Sequence, residues 1–207
     1  LEDGSQATNY VLTSIDGSGN AQWKPAQTST TIISQGVATR FGFNGPGVDI
    51  PFKTSENTFY KTGSYIDLPY GTWQITVNML LAVDVIPSTM TANDWLWIKS
   101  SFSKVNAATI TSSQITTDFV RPGPVYGSAL FDGPKLISDQ PKFNILRGTF
   151  IIKNSDTAST DANPTRYWYY GGLVDSQEYT TGFGKATKFT KFGGYWGEDV
   201  ITAVRIL

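Results

Sequence analysis

The chain has 207 residues, with 16 Lys+Arg against 17 Asp+Glu and neither histidine nor cysteine, a length that fits one domain or a domain plus an arm. Without those two residue types, Ser-His-Asp triads, Cys-His nucleophiles, His-rich zinc sites and haem ligation are excluded. A formal net charge of −1 and 16% charged residues give no long-range field to draw in nucleic acid or a membrane, and no apolar run approaches the ~20 residues of a membrane helix.

Asn9 to Ser14 reads as a short strand, Asp16-Gly17-Ser18-Gly19-Asn20 as turn chemistry, and Ala21 to Pro25 as the return strand. A polar stretch after Pro25 has linker composition, so residues 1–31 are expected to form a hairpin collar and 32–207 the main domain. A lone two-stranded hairpin is marginal in water, so this one needs neighbours. A chain starting at Leu1 rather than Met is expected to be a piece of something longer.

From Ile32 onward strand signals recur. In 72–84, Trp73, Ile75, Val77, Met79, Leu81 and Val83 alternate with Thr72, Gln74, Thr76 and Asn78, and Leu80 and Ala82 make the second face apolar near the end. In 94–105, Trp95 and Trp97 share one face and Leu96, Ile98 and Phe102 the other. Further strands are expected at 143–153, at 166–174 with Tyr167-Trp168-Tyr169-Tyr170, and at 200–207. The last is apolar on both faces, which places it mid-sheet or under a subunit interface. The 155–164 stretch reads as a surface loop and 182–197 as a long Gly-rich loop. Strands without interleaved helices predict an all-β, antiparallel sandwich or barrel.

Several constellations carry a chemical reading beside a plain one. Ser101-Phe102-Ser103-Lys104 has the spacing of Ser-Lys hydrolases, but that chemistry needs a helix and this segment reads as a strand. Glu56, Glu178 and Glu198 lie beside loops, yet nothing in the sequence pairs two acids as a glycosidase requires. The Asp16–Asn20 string could ligate calcium or simply form a turn, and Asp156 and Asp161 pose the same choice. In 183–192, Lys185, Lys188 and Lys191 alternate with phenylalanines, either as a stacking and anion-holding loop or as an edge strand guarded by lysines. Trp95, Trp97, Tyr167, Trp168, Tyr169 and Tyr170 could form a carbohydrate platform or serve the core.

Two segments carry a resemblance. Tyr10-Val11-Leu12-Thr13-Ser14 with Gly17-Ser18-Gly19-Asn20-Ala21-Gln22-Trp23 resembles an element of fibre-like and surface proteins of Bacteroidetes bacteria and their phages. Leu68-Pro69-Tyr70-Gly71-Thr72-Trp73-Gln74-Ile75-Thr76-Val77-Asn78 resembles a strand of C1q/TNF-like jelly rolls. The resemblance covers the first 25 residues or so and two strands, and supplies no catalytic residue. It implies a trimeric jelly roll with an N-terminal collar: a phage tail or head fibre domain that attaches to a host surface glycan. A bacterial adhesin or lectin-like module and a purely structural virion domain are the alternatives. No enzyme activity, cofactor, metal, nucleic acid or membrane insertion is expected, and the expected location is the virion surface, or else the bacterial surface.

Overall fold

The computed structural model describes residues 7, 10–14, 16, 18, 20–25, 39–52, 57–83, 95–132, 143–176 and 188–206. Two compact units are present, Leu1–Ala38 and Thr39–Leu207. In the first, β1 (Tyr10–Ser14) and β2 (Ala21–Pro25) pair antiparallel with Leu12 opposite Trp23. The Asp16 carboxylate closes their turn, accepting the backbone N–H groups of Ser18 (2.9 Å) and Asn20 (3.1 Å) and the Asn20 side-chain amide (2.6 Å). That oxygen-rich string therefore works as a turn, with its acid spent on N–H donors.

The second unit contains β3 (Thr39–Phe41), β4 (Val48–Pro51), β5 (Phe59–Leu68), β6 (Gly71–Ala82), β7 (Trp95–Ser103), β8 (Thr109–Ile110), β9 (Gly127–Asp132), β10 (Phe143–Asn154), β11 (Thr165–Ser176), β12 (Lys188–Phe192) and β13 (Val200–Arg205). One short 3-10 turn, Ser112–Gln114, interrupts them, and no α-helix occurs among the described residues. A single antiparallel sheet runs β3-β13-β6-β10-β9-β7-β11-β5-β8, and β12 pairs with β4 beside it.

That sheet is curled. β10 and β9 share one paired position, Arg147 opposite Ser128, where the sheet turns its corner. Just past β3, Phe43 and Tyr65 of β5 exchange backbone hydrogen bonds of 2.8 and 3.1 Å, joining the far side. The two halves then face each other across one core and give the unit β-sandwich character. Phe102 of β7 meets Phe150 of β10 edge-on at 5.1 Å between ring centroids.

Period-two patterning explains the long strands. Trp73, Ile75, Val77, Met79 and Leu81 of β6 are all buried, as are Leu96, Ile98 and Phe102 of β7 and Leu146, Phe150 and Ile152 of β10. The turn before β6 is locked by Trp73, whose indole N–H donates to the Pro69 carbonyl at 3.0 Å. As expected from its two apolar faces, β13 lies mid-sheet between β3 and β6. The 155–164 stretch is a surface loop, pinned by buried Ser159, to which Asn154 donates at 3.0 Å.

One expectation needs correction. The 182–197 stretch is not all loop, because Lys188–Phe192 forms β12. Phe189 and Phe192 are three apart, so a regular strand would point them to opposite sides. A bulge between them, with Lys191 at φ 51°, brings both into the core. Phe189 packs on Phe52 at 5.0 Å and Phe192 on Tyr169 at 6.0 Å. The described part of the Lys/Phe segment thus turns its phenylalanines inward, with β4 on one side of β12 and a bridge from Phe189 to Val83 on the other.

Three chain segments cross without side chains between them at Gly45, Gly63 and Gly193. The Ser64 hydroxyl ties them, accepting the Gly45 N–H (2.8 Å) and donating to the Gly193 carbonyl (2.5 Å). A Cβ on Gly45 would lie 2.3 Å from the Gly63 carbonyl carbon and 2.6 Å from the Ser64 nitrogen, both backbone atoms. Gly45→Ala is therefore expected to cost about 2 kcal/mol by overpacking, read as a lower urea midpoint with unchanged slope. A wild-type midpoint would mean that the crossing relaxes without loss.

Candidate functional site

The run Tyr167-Trp168-Tyr169-Tyr170 divides on β11. Tyr167 and Tyr169 point inward and are fully buried, Tyr167 donating to the Asp118 carboxylate at 2.6 Å and Tyr169 packing on Phe102 at 5.2 Å. Burial pushes both phenols well above their ordinary range, so neither ionises near neutral pH. Tyr170 faces the other way and is also fully buried. The segment after β7 covers it: Tyr170 donates to the Val105 carbonyl (2.7 Å) and accepts the Ala107 N–H (3.3 Å). Ser101 and Ser103, outward on β7, donate to the Val125 and Gln114 carbonyls of the same covering segment. Three of the four aromatics thus serve packing, and no continuous platform forms along β11.

Trp168 is the half-buried member, and cross-strand pairing gives it neighbours that the sequence places far away. β5 sets Tyr65 opposite Trp168 and Asp67 opposite Arg166. The Trp168 and Tyr65 rings meet edge-on at 5.0 Å. Tyr65 is covered on one side by Phe43, stacked at 5.0 Å, and approached at 3.7 Å by the Arg166 guanidinium. Arg166 makes a bidentate pair with Asp67, both contacts 2.8 Å, and the Lys61 ammonium sits 5.0 Å from the Trp168 ring. Lys61 also donates to the Asn106 side-chain oxygen at 2.7 Å. Among the described residues the patch therefore holds the cations Lys61 and Arg166 against the carboxylate Asp67, an excess of one positive charge beside three aromatic rings. Phe43, which is 56% exposed, presents the most open ring.

The other candidate residues lie elsewhere. Trp97 is opposite Leu130 on the outward side of β7 and β9, both partly exposed. Trp95 is in β7, but its side chain is outside the described set, and Lys185 is outside the described residues altogether. Lys188 pairs with Asp49 at 2.7 Å, and the hydrogen bond it donates holds that carboxyl below the usual range. Lys191 places its ammonium 3.7 Å over the exposed Tyr195 ring. Lys188 and Lys191 make these contacts with Asp49 and Tyr195, not with Trp168.

The catalytic patterns do not assemble among the described residues. Lys104 forms an ion pair with Asp118 at 3.0 Å while Ser101 donates to a carbonyl, so the Ser-x-x-Lys pair is split. Glu56 and Glu178 lie outside the described residues, and Glu198 is exposed. No group of three or more His, Cys, Asp or Glu that could hold a metal ion occurs among the described residues. Sequence reasoning missed Phe43, Lys61, Tyr65 and Arg166. Lys61, Tyr65 and Asp67 do alternate at period two, but their partners depend on strand pairing about a hundred residues apart. No protein-family model matches the chain, and no curated protein does.

Proposed function

We propose that this chain is a non-enzymatic attachment domain, the jelly-roll head of a virion fibre, working as a homotrimer that holds a host-surface glycan. The glycan would rest on Phe43, Tyr65 and Trp168, with Lys61 and Arg166 for acidic or hydroxyl groups. Strand order supports the jelly-roll part. Counting β3, β5, β6, β7, β9, β10, β11 and β13 as first to eighth, one half of the sheet runs first-eighth-third-sixth. The other half runs fifth-fourth-seventh-second. Two nested Greek keys generate that interleaving.

Support for oligomerisation comes from the outward face of β3-β13-β6-β10. Phe41, Phe143, Ile145, Ile151 and Val204 all remain exposed there, on a face where a monomer would favour polar groups. The observation that carries attachment is the patch itself: half-buried aromatics beside an excess cation bind rings and anions without a group poised to transfer a proton. One observation favours the purely structural alternative, since Phe43 and Arg166 already cover Tyr65.

The test is retention of the chain on immobilised acidic and neutral host-type glycans. Trp168→Ala and Arg166→Ala are each expected to weaken retention about tenfold, the equivalent of one lost cation–π or stacking contact, with little change in unfolding midpoint. Retention equal to wild type in both variants would remove the patch from the reading. Failure of the wild type to bind any glycan would move the structural alternative ahead.

A further inference from the structure

The two cations of the aromatic patch are not equivalent. Arg166 spends its guanidinium on Asp67 in a bidentate pair, both contacts 2.8 Å, and lies over the Tyr65 ring at 3.7 Å. Its charge is matched. Lys61 has no carboxylate partner among the described residues. Its ammonium donates at 2.7 Å to the side-chain oxygen of Asn106, a neutral acceptor, and sits 5.0 Å from the Trp168 ring centroid. The excess positive charge of the patch is therefore located at Lys61.

Asn106 is held there from both sides. The Ala108 carbonyl accepts the Lys61 backbone N–H at 2.9 Å, and the Tyr170 hydroxyl accepts the Ala107 N–H at 3.3 Å while donating to the Val105 carbonyl at 2.7 Å. Buried Tyr170 thus fixes the segment that carries Asn106. Because Lys61 occupies its oxygen, the exposed Asn106 amide directs its NH2 group the other way, with both N–H groups unused by the described residues. The amide's own geometry puts that nitrogen about 5 Å or less from the ammonium. A carboxylate, its oxygens about 2.2 Å apart, bridges two donors at that spacing with bonds of about 2.8 Å.

We propose that Lys61 and Asn106 form an acid subsite, so that the glycan held by the patch carries a carboxylate on the sugar that rests on Trp168. The proposal rests on the attachment reading and adds the class of sugar. A ring laid on the indole brings an exocyclic carboxylate, one bond outside it, beside the Lys61 ammonium. One carboxylate oxygen then meets the ammonium and the other the Asn106 amide. Arg166, already neutralised, holds Tyr65 in place and contributes no net charge to the choice between acidic and neutral sugars.

The test is retention of the full chain on immobilised glucuronate against glucose and galacturonate against galactose, with the 6-sulfates of both neutral sugars alongside. Each pair differs only in carboxylate against hydroxymethyl. The wild type should be held about tenfold more strongly by the uronates, the equivalent of one charge-assisted hydrogen bond. Asn106→Asp, an exposed change of nearly constant shape, gives Lys61 a carboxylate of its own and should bring that ratio to one or below. Lys61→Gln should bring it to one. Arg166→Gln combined with Asp67→Asn removes a cation and an anion together, so it should weaken both sugars alike and keep the ratio. Tyr170→Phe should lower the ratio, a readout that a general loosening of the fold, weakening both sugars alike, does not move.

Equal retention of acidic and neutral sugars by the wild type would overturn the acid subsite and leave attachment standing, as would a ratio unmoved by Lys61→Gln. Loss of the ratio in the combined variant would place the anion at Arg166 and overturn the assignment to Lys61. Stronger retention on the sulfates than on the uronates would overturn the carboxylate. No retention on any sugar would remove the attachment reading and the subsite with it.

Discussion

Asp199→Ala is expected to lower the unfolding free energy by about 3 kcal/mol, because three backbone donors lose their acceptor in a nearly dry site. Asp199 is 3% exposed. One carboxylate oxygen accepts the Leu80 N–H at 2.7 Å, and the other accepts those of Gly194 (2.6 Å) and Trp196 (3.1 Å). The side chain thus fastens the 193–199 turn to β6 near its C-terminal end, and the Asn44 amide secures the Asp199 carbonyl at 2.7 Å. Alanine leaves the three N–H groups unpaired, an effect partly offset by removal of a desolvated charge. Asp199→Asn keeps one acceptor oxygen where two are used, so its loss should be intermediate, about 1–2 kcal/mol by urea titration. A loss below roughly 0.5 kcal/mol for alanine would mean that water reaches the turn and replaces the carboxylate.

The same residue gives stability a pH signature. Burial raises the Asp199 carboxyl above its ordinary 3.8, and the backbone donors reverse that only in part. The folded chain therefore holds this proton where the unfolded chain has released it. The contribution is fully present below 3.8 and is lost as pH rises through the raised folded value. Asp49, lowered chiefly by its hydrogen bond from Lys188, acts in the opposite sense and loses its contribution as pH falls through its lowered value. The wild-type advantage over Asp199→Asn should accordingly narrow as pH rises from 3.8 towards neutrality.

Phe150→Ala is the second large effect, about 4 kcal/mol. The ring is fully buried, edge-on to Phe102 at 5.1 Å and stacked with Phe119 at 6.1 Å, so it links the two halves of the sandwich to the 116–121 segment. Gly127 and Gly148 lie against it, where a Cβ would come within 3.1 and 2.9 Å of the ring. Neither position has a side chain that could swing into the space, so the cavity would stay open and the cost fall at the high end. Phe150→Leu should recover more than half the loss. Calorimetry of the two variants reads the difference, and equal midpoints for both would show that the core collapses around the gap.

Strands whose inward positions are mostly apolar could be read in advance, as with β6 and the outward Trp97 against inward Leu96, Ile98 and Phe102 of β7, where Ser100 is the one polar exception. β5 was hidden because Thr62 and Ser64 occupy core-facing positions, where they donate to the Tyr169 and Gly193 carbonyls instead of adding apolar surface. β12 was hidden by a bulge that breaks the period of two. Glu198 and Asp199 look alike in sequence, and only folding leaves one exposed and buries the other. Tyr170 alternates with inward Tyr169 and so faces outward. That its own chain covers it depends on the path of 104–126, which carries little periodic signal.

The pairing of β3 with β13 also decides how the sheet would respond to tension. Thr39 lies opposite Val204 and Phe41 opposite Thr202, so the chain enters β3 at the end where β13 finishes. A pull separating residues 39 and 205 meets those rungs one after another, as a zipper, and not all at once, as in shear. The contact would open at low force by peeling β3 away, while β13 stays bonded to β6 along six registered positions. A load borne through the entry alone bypasses that seam and leaves the sandwich unstretched.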